Sequence, residues 1–219
     1  MIATARPFLY LVTDRARLAR AGGDSLRALE AQLDAAVAAG IDVIQIRERD
    51  LEARPLEHLV AGVVSRAAGA PTRILVNDRA DVAESAGAHG VHLRADGPDV
   101  GRVRARYPNL LIGRSIHTAD DAIAHRDADY LLFGHVFATS SKPGQPAAGI
   151  AALREAVKAA APCDVVAIGG IDASRARPCV SAGAAGVAAI DVFVPPALTD
   201  MRAYLARAIA DLRVALQNC

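Results

Sequence analysis

The 219-residue chain predicts a single (β/α)8 TIM barrel formed by residues 1–219 as one domain. Three observations carry that reading. Short β-branched runs alternate with Ala-rich amphipathic stretches eight times along the chain. Such alternation implies right-handed βαβ crossovers in a parallel sheet, and eight units close a barrel. The chain is 53% hydrophobic but only 4% aromatic, an aliphatic composition that suits buried parallel strands covered by helices. The first strand runs into Thr13-Asp14-Arg15, without the Gly-rich turn that usually opens a doubly wound sheet.

In chain order, Phe8–Asp14 is the first strand. Asp24–Ala39 follows as a helix, capped by Asp24 and stopped by Gly40. Asp42–Glu48 is the second strand and Pro55–Ala68 its helix, with Pro in the first turn. Arg73–Asp78 precedes the short helix Ala80–Ser85, and Gly90–Leu93 precedes Asp99–Arg106. Leu111–Ile116 pairs with Ala119–Arg126, and Tyr130–Val136 with Ile150–Ala160. Asp164–Gly170 leads to Asp172–Ala182, and Gly186–Val192 leads to the closing helix Pro196–Leu216. The strand runs have the length and β-branched content of buried strands.

The net charge of +1 gives no global field toward nucleic acid or a membrane surface. Aromatics are also too few for a base-stacking platform. Cys163, Cys179 and Cys219 lack metal or redox spacing, which reads as reduced thiols in a cytoplasmic protein. No leader and no apolar run long enough to span a membrane is expected. The expected partner is a small molecule, and the oligomeric state is open, with a homo-oligomer possible.

Barrel chemistry sits at the C-terminal ends of the strands. On the second strand, Gln45, Arg47 and Arg49 share one face by the period of two, so that face should point into the barrel mouth. Two guanidiniums there need an anion, and a phosphate or pyrophosphate matches their fork geometry. The competing reading is an internal ion pair, such as Arg47 with Asp78. Asn77-Asp78 could hold Mg²⁺ or cap a helix. His135 follows Gly134 at the end of the sixth strand, where a histidine can shuttle protons near neutral pH. Thr139 through Lys142 reads as an anion-binding loop. Gly169 and Gly170, with the helix start after them, read as a phosphate site. His89, His92 and His117 lack a metal-binding pattern and read as structural.

These stretches together resemble the thiamine phosphate synthase superfamily over nearly the whole chain. The matching segments are Leu9–Asp14, Gln45–Arg49, Asn77–Arg79, Gly90–Leu93, Gly134–Phe137, Thr139–Lys142 and Ala167–Gly170. The resemblance implies one of two reactions. A synthase joins hydroxymethylpyrimidine pyrophosphate to thiazole phosphate with Mg²⁺. A thiazole tautomerase aromatises the thiazole phosphate carboxylate by proton transfer and uses no cofactor.

Ile112–His117, Arg104–Pro108 and His135 resemble the tautomerase branch, so the first expectation is a tautomerase. His135 is then its acid/base, and Arg47 holds the substrate carboxylate or phosphate. In the synthase alternative, Arg47, Arg49, Ser115, Thr139 and Lys142 match pyrophosphate contacts, and Asp78 with Asp96 or Asp99 holds the metal. Gly97 stands where the family places its second metal carboxylate. Asp191 stands where the family often has Ser near a phosphate, and a carboxylate there would repel the dianion. These two departures motivate a third reading, a protein that binds thiazole phosphate without turnover.

Overall fold

A computed structural model of the chain describes residues 2, 6–20, 24–141, 144–196 and 200–217. Eight parallel strands close on themselves in sequence order. They are β1 (Phe8–Val12), β2 (Val43–Ile46), β3 (Arg73–Asn77), β4 (Gly90–Leu93), β5 (Leu111–Ile116), β6 (Tyr130–Gly134), β7 (Asp164–Ile168) and β8 (Gly186–Ala189). The seam is the pairing of β8 with β1, where Leu9 stands opposite Val187. This is the predicted (β/α)8 barrel rather than an open sheet.

The outer ring comprises α1 (Arg15–Ala19), α2 (Ser25–Ala38), α3 (Ala53–Arg66), α4 (Ala80–Ser85), α5 (Val100–Arg106), α6 (Ala119–Ala124), α7 (Gly149–Ala160), α8 (Ala173–Ser181) and α9 (Met201–Gln217). Helix starts follow side-chain capping. Asp24 accepts from the Leu26 and Arg27 N–H groups, and Thr118 with Asp121 forms a capping box. Pro55 sits at the third residue of α3, where its missing N–H costs no helical bond.

Several predicted strands end early, always at the C-terminal rim of the barrel. The first stops at Val12, and Asp14 instead caps α1, a short helix the periodicity did not reveal. The second stops at Ile46, so Arg47 and Arg49 stand on the loop beyond it. The third stops at Asn77, leaving Asp78 in the left-handed region at φ 59°. The sixth ends at Gly134 and the seventh at Ile168. The eighth ends at Ala189 and passes into a 3₁₀ turn, Asp191–Phe193. At this rim the chain leaves the ladder, and its polar groups are taken up partly by neighbouring backbone, as Asp78 N–H by the His92 carbonyl, and partly by side chains, as Arg47 N–H by Thr13 Oγ1. The closing helix begins at Met201 rather than Pro196.

Alternation along the strands sorts the apolar residues into two layers. Leu9, Leu11, Ile44, Ile46, Ile74 and Val76 point outward and pack under the helices. Tyr10, Val12, Val43, Leu75, Tyr130 and Val166 fill the barrel interior, joined by Ile2. Full burial of each large aliphatic contributes roughly 1.5–3 kcal/mol. The interior is plugged by two tyrosines whose ring centroids lie 6.0 Å apart. Tyr130 fits because β5 offers Gly113 opposite it, where a Cβ would stand 2.0 Å from the ring. Above this plug the barrel is open.

Candidate active site

The mouth of the barrel holds a cavity of about 780 Å³. Its wall includes Gln45, Arg47, Arg49, Asn77, Ser115, His135, Thr139, Gly169 and Gly170. The fold therefore brings these nine sequence-designated residues, and Asp96 with them, to one place, whereas Asp78 is not part of the wall. Lys142 lies outside the described residues.

Arg47 is half-buried. Burial, together with the neighbouring Arg49 charge, lowers its pKa below the usual guanidinium value. Among the described residues no carboxylate forms an ion pair with either Arg47 or Arg49, so the suggested Arg47–Asp78 bridge is not formed. The loop that carries them is pinned from below. Glu48 is buried and accepts from Thr13 Oγ1 at 2.6 Å and from the Arg15 N–H at 3.3 Å. The Thr13 hydroxyl in turn accepts from the Arg47 N–H at 2.9 Å. Burial raises the Glu48 pKa, while these bonds oppose the rise. Two cations without an ion pair among the described residues thus stand on a loop held by side-chain bonds, an arrangement that can attract an anion.

His135 is 8% exposed. Its Nε2–H donates to the Gln145 carbonyl at 3.3 Å, and Nδ1 has no partner among the described residues. The chain of β7 passes close beneath it. Gly169 has φ +104°, and a Cβ there would stand 2.3 Å from the His135 Cβ. Gly170 has φ +64°, and its Cβ would meet the Ala138 carbonyl oxygen at 2.4 Å. Both positions require glycine. Their N–H groups make no backbone hydrogen bond among the described residues. The helix start beyond them behaves differently from the expectation. Asp172 caps α8 and accepts from the Ser174 and Arg175 N–H groups at 2.9 and 3.0 Å. Those two donors are occupied by the protein's own carboxylate, so the glycines remain as the anion-facing backbone.

Asp191 does line the cavity, and a cation stands against it. Arg17, from α1, is only 14% exposed and pairs with Asp191 and, at 3.0 Å, with Asp14. The same guanidinium donates to Ser140 Oγ at 2.8 Å and Ser141 Oγ at 2.7 Å. Ser140 Oγ also donates to Asp191 at 3.1 Å. Arg17 therefore ties the loop after β6 to the end of β8. Sequence reasoning missed it because the helix that presents it is a single turn with no apolar period.

The metal expectation is partly redrawn. Asp99 caps α5 by accepting from the Arg102 N–H at 3.0 Å, so it serves the helix. Asp96 lines the cavity, 81% exposed, and pairs with Arg94 Nε at 2.9 Å. Asp78 accepts from the Arg94 N–H and from Asn77 Nδ2, each at 2.9 Å. Among the described residues no group of three or more His, Cys, Asp or Glu is poised for a metal.

The histidines also divide. His89 accepts from the Ile74 N–H at 3.0 Å and is structural, as read. His117 and His92 line the cavity. His92 bonds Tyr130 OH at 2.9 Å through Nδ1 and Ser115 Oγ at 2.8 Å through Nε2. Burial, then the charges of Arg114 and Arg47, push its pKa down to about 3. A depressed pKa makes stability present above the unfolded value of 6.5 and lost as pH falls toward about 3. Within that window His92 is expected to cost up to ~1.4 kcal/mol per pH unit. Urea unfolding between pH 7 and 4 should show this slope, and His92→Gln should lessen it. An unaltered slope in the variant would remove His92 as its source.

A closed parallel barrel with a cavity at the C-terminal ends of its strands, walled by two guanidiniums and a glycine turn, defines a class, the (β/α)8 proteins whose sites lie at that face. The particular family follows from comparison with known proteins. The family model described as thiamine monophosphate synthase matches residues 9–193, and the chain belongs to that family. It is 42% identical over 163 residues to the thiamine-phosphate synthase of Methanoculleus marisnigri, covering 73% of this chain and 77% of that one. It is 39% identical over 194 residues to the thiamine-phosphate synthase of Chloroflexus aurantiacus, covering 85% and 84%. Its structure is similar to thiamine phosphate pyrophosphorylase from Pyrococcus furiosus, with a TM-score of 0.80, 28% identity and 96% of each chain covered. Among the described residues, no helix is long and apolar enough to cross a membrane.

Proposed function

We propose that the protein is a thiamine phosphate synthase, a transferase that joins hydroxymethylpyrimidine pyrophosphate to thiazole phosphate. The observation that carries this is the presence of Arg47 and Arg49, without an ion pair among the described residues, at the mouth of a barrel whose relatives bear that name. In the reaction the bond from the pyrimidine methylene carbon to pyrophosphate oxygen breaks, and a bond to the thiazole forms. Negative charge grows on the departing oxygen. Arg47 and Arg49 would stabilise it, with Thr139 on the loop after β6; Lys142, outside the described residues, is a further cation by sequence alone. Gln45 and Asn77 line the cavity as hydrogen-bonding groups for the pyrimidine. Gly169 and Gly170 offer backbone N–H groups to the phosphate of the thiazole.

Mg²⁺ suits this donor set. It binds through one or two carboxylates and substrate phosphates rather than an all-protein cage. Asp78 and Asp96, which bond the Arg94 N–H and the Arg94 guanidinium respectively, would supply those carboxylates. When bound, the ion would neutralise charge on the pyrophosphate. This reading favours the synthase over the tautomerase that the sequence suggested first. Of the tautomerase-like run Ile112–His117, only Ser115 and His117 reach the cavity. Arg104 pairs with Asp129 instead, and Arg106 stacks on Tyr107.

One observation keeps the tautomerase as a second reading: His135 lines the cavity with Nδ1 unengaged, as a proton shuttle requires. The two are separated by supplying both substrates with Mg²⁺, and separately the unaromatised thiazole phosphate carboxylate in EDTA. Thiamine phosphate formation that stops in EDTA is the expected result. Metal-free aromatisation without synthesis would replace the synthase by the tautomerase. Binding of thiazole phosphate with neither turnover would leave the non-catalytic protein.

A further inference from the structure

Both carbonyls of the glycine turn are engaged by the protein, and this directs the backbone N–H groups. The Gly169 carbonyl accepts from the Phe137 N–H at 3.0 Å. A trans peptide points its C=O and N–H in opposite directions, so the Gly170 N–H faces away from Phe137. The Gly170 carbonyl accepts from Arg175 Nη1 at 2.9 Å. Arg175 belongs to the first turn of α8, and its guanidinium lies over the Phe137 ring, 5.4 Å from the centroid. The turn thus fixes Phe137, and Phe137 with the Gly170 carbonyl fixes the guanidinium.

The other donors of Arg175 are hardly used. Its Nε stands 3.9 Å from Asp172 Oδ2, an ion pair beyond hydrogen-bond reach. Asp172 Oδ1 is engaged by the Ser174 and Arg175 N–H groups and by Ser174 Oγ. Arg175 Nη2 makes no hydrogen bond among the described residues. The side chain is half-exposed and lines the cavity with Gly169, Gly170 and Asp191. A phosphate dianion at this turn would meet two backbone N–H groups of partial charge and, in the same wall, the full negative charge of Asp191. Arg17 is not part of that wall, and its three nitrogens already engage Asp14, Ser140, Ser141 and Asp191.

We infer that Arg175 is the cation that receives the phosphate of the thiazole, closing the Gly169–Gly170 turn from the α8 side, and that it sets the preference for the phosphorylated thiazole over the corresponding alcohol. Because the guanidinium is held before the ligand arrives, little side-chain freedom is lost on binding. This role rests on the reading of the cavity as a thiazole phosphate site. It falls to a residue outside every segment that carries the family resemblance.

Calorimetry with each thiazole alone tests the assignment without any turnover. The parent should bind thiazole phosphate well ahead of the alcohol. Arg175→Met should bind the phosphate about tenfold or more weakly, the scale of one lost charged hydrogen bond, and the alcohol within about twofold of the parent. Two further variants separate a direct charge from a brace on the turn. Arg175→Lys keeps the charge, whereas Arg175→Gln keeps an N–H for the Gly170 carbonyl without it. Tighter phosphate binding by the lysine variant than by the glutamine variant is the expected order. The reverse order, or equality, overturns the inference. So does an Arg175→Met protein that binds the phosphate as tightly as the parent, or that loses both ligands equally. A parent that binds neither thiazole, or both alike, refutes the reading of the cavity itself, and the role of Arg175 falls with it.

Discussion

Arg47→Met is expected to lower kcat/KM for thiamine phosphate formation by roughly 10²–10³-fold, the loss that follows removal of one preorganised donor to a developing anion. The effect should be large because Arg47 has no counter-ion among the described residues, so its charge is available to the ligand. Its position is also rigid, held through Thr13 and Glu48. The same facts predict an unusual companion result. A half-buried guanidinium with no partner, its pKa lowered chiefly by burial, is a cost to the folded state. Methionine keeps most of the aliphatic length without the charge, so the ligand-free variant should melt at the same temperature or higher. Loss of activity with retained or raised Tm would identify Arg47 as a site built at the expense of stability. Near-normal turnover would remove Arg47 from the anion site, and a large fall in Tm would make it structural.

Arg17→Ala should raise KM for thiazole phosphate by about tenfold or more, the scale of one lost charge-assisted interaction of ~1.4 kcal/mol and upward. The cause is indirect. Without Arg17, the Asp191 carboxylate faces the Gly169–Gly170 turn uncompensated, and Ser140 and Ser141 lose their shared donor. If that account holds, the damage belongs mainly to Asp191. Arg17→Ala combined with Asp191→Ser should recover most of the loss, and Asp191→Ser alone should be mild. Steady-state kinetics of the three variants form a double-mutant cycle. Additive effects would mean that the pair is incidental to substrate binding and that Arg17 acts elsewhere.

The departure at Asp191 shows why sequence reading stops where it does. Read alone, a carboxylate at a phosphate site is repulsive. Its meaning reverses once Arg17 is seen across the mouth, 174 positions away in the chain. Asp99 shows the same limit. Its type and spacing suited a metal, but a helix N-terminus lay directly after it and claimed the carboxylate. The helix start after Gly170 was discounted in the same way by Asp172. His92 was read as structural from the absence of a metal motif. It is structural in its bonds and also part of the cavity wall, a distinction that depends on which way β4 presents it.

What the sequence by itself determined is the architecture and the inward face of the second strand. Alternation of eight apolar runs with amphipathic stretches leaves few other ways to bury an aliphatic chain of this composition. The period of two correctly placed Gln45, Arg47 and Arg49 on one side, although the strand ends before the arginines. Only the tertiary structure decided which charges remain unpaired and which way each hydrogen bond runs. Among the described residues Arg15 and Arg17 find carboxylates, whereas Arg47 and Arg49 do not. The reason is physical. Periodicity is a local property of the chain, whereas Coulomb energy and hydrogen-bond order depend on distances between residues that the barrel brings together from opposite ends of the sequence.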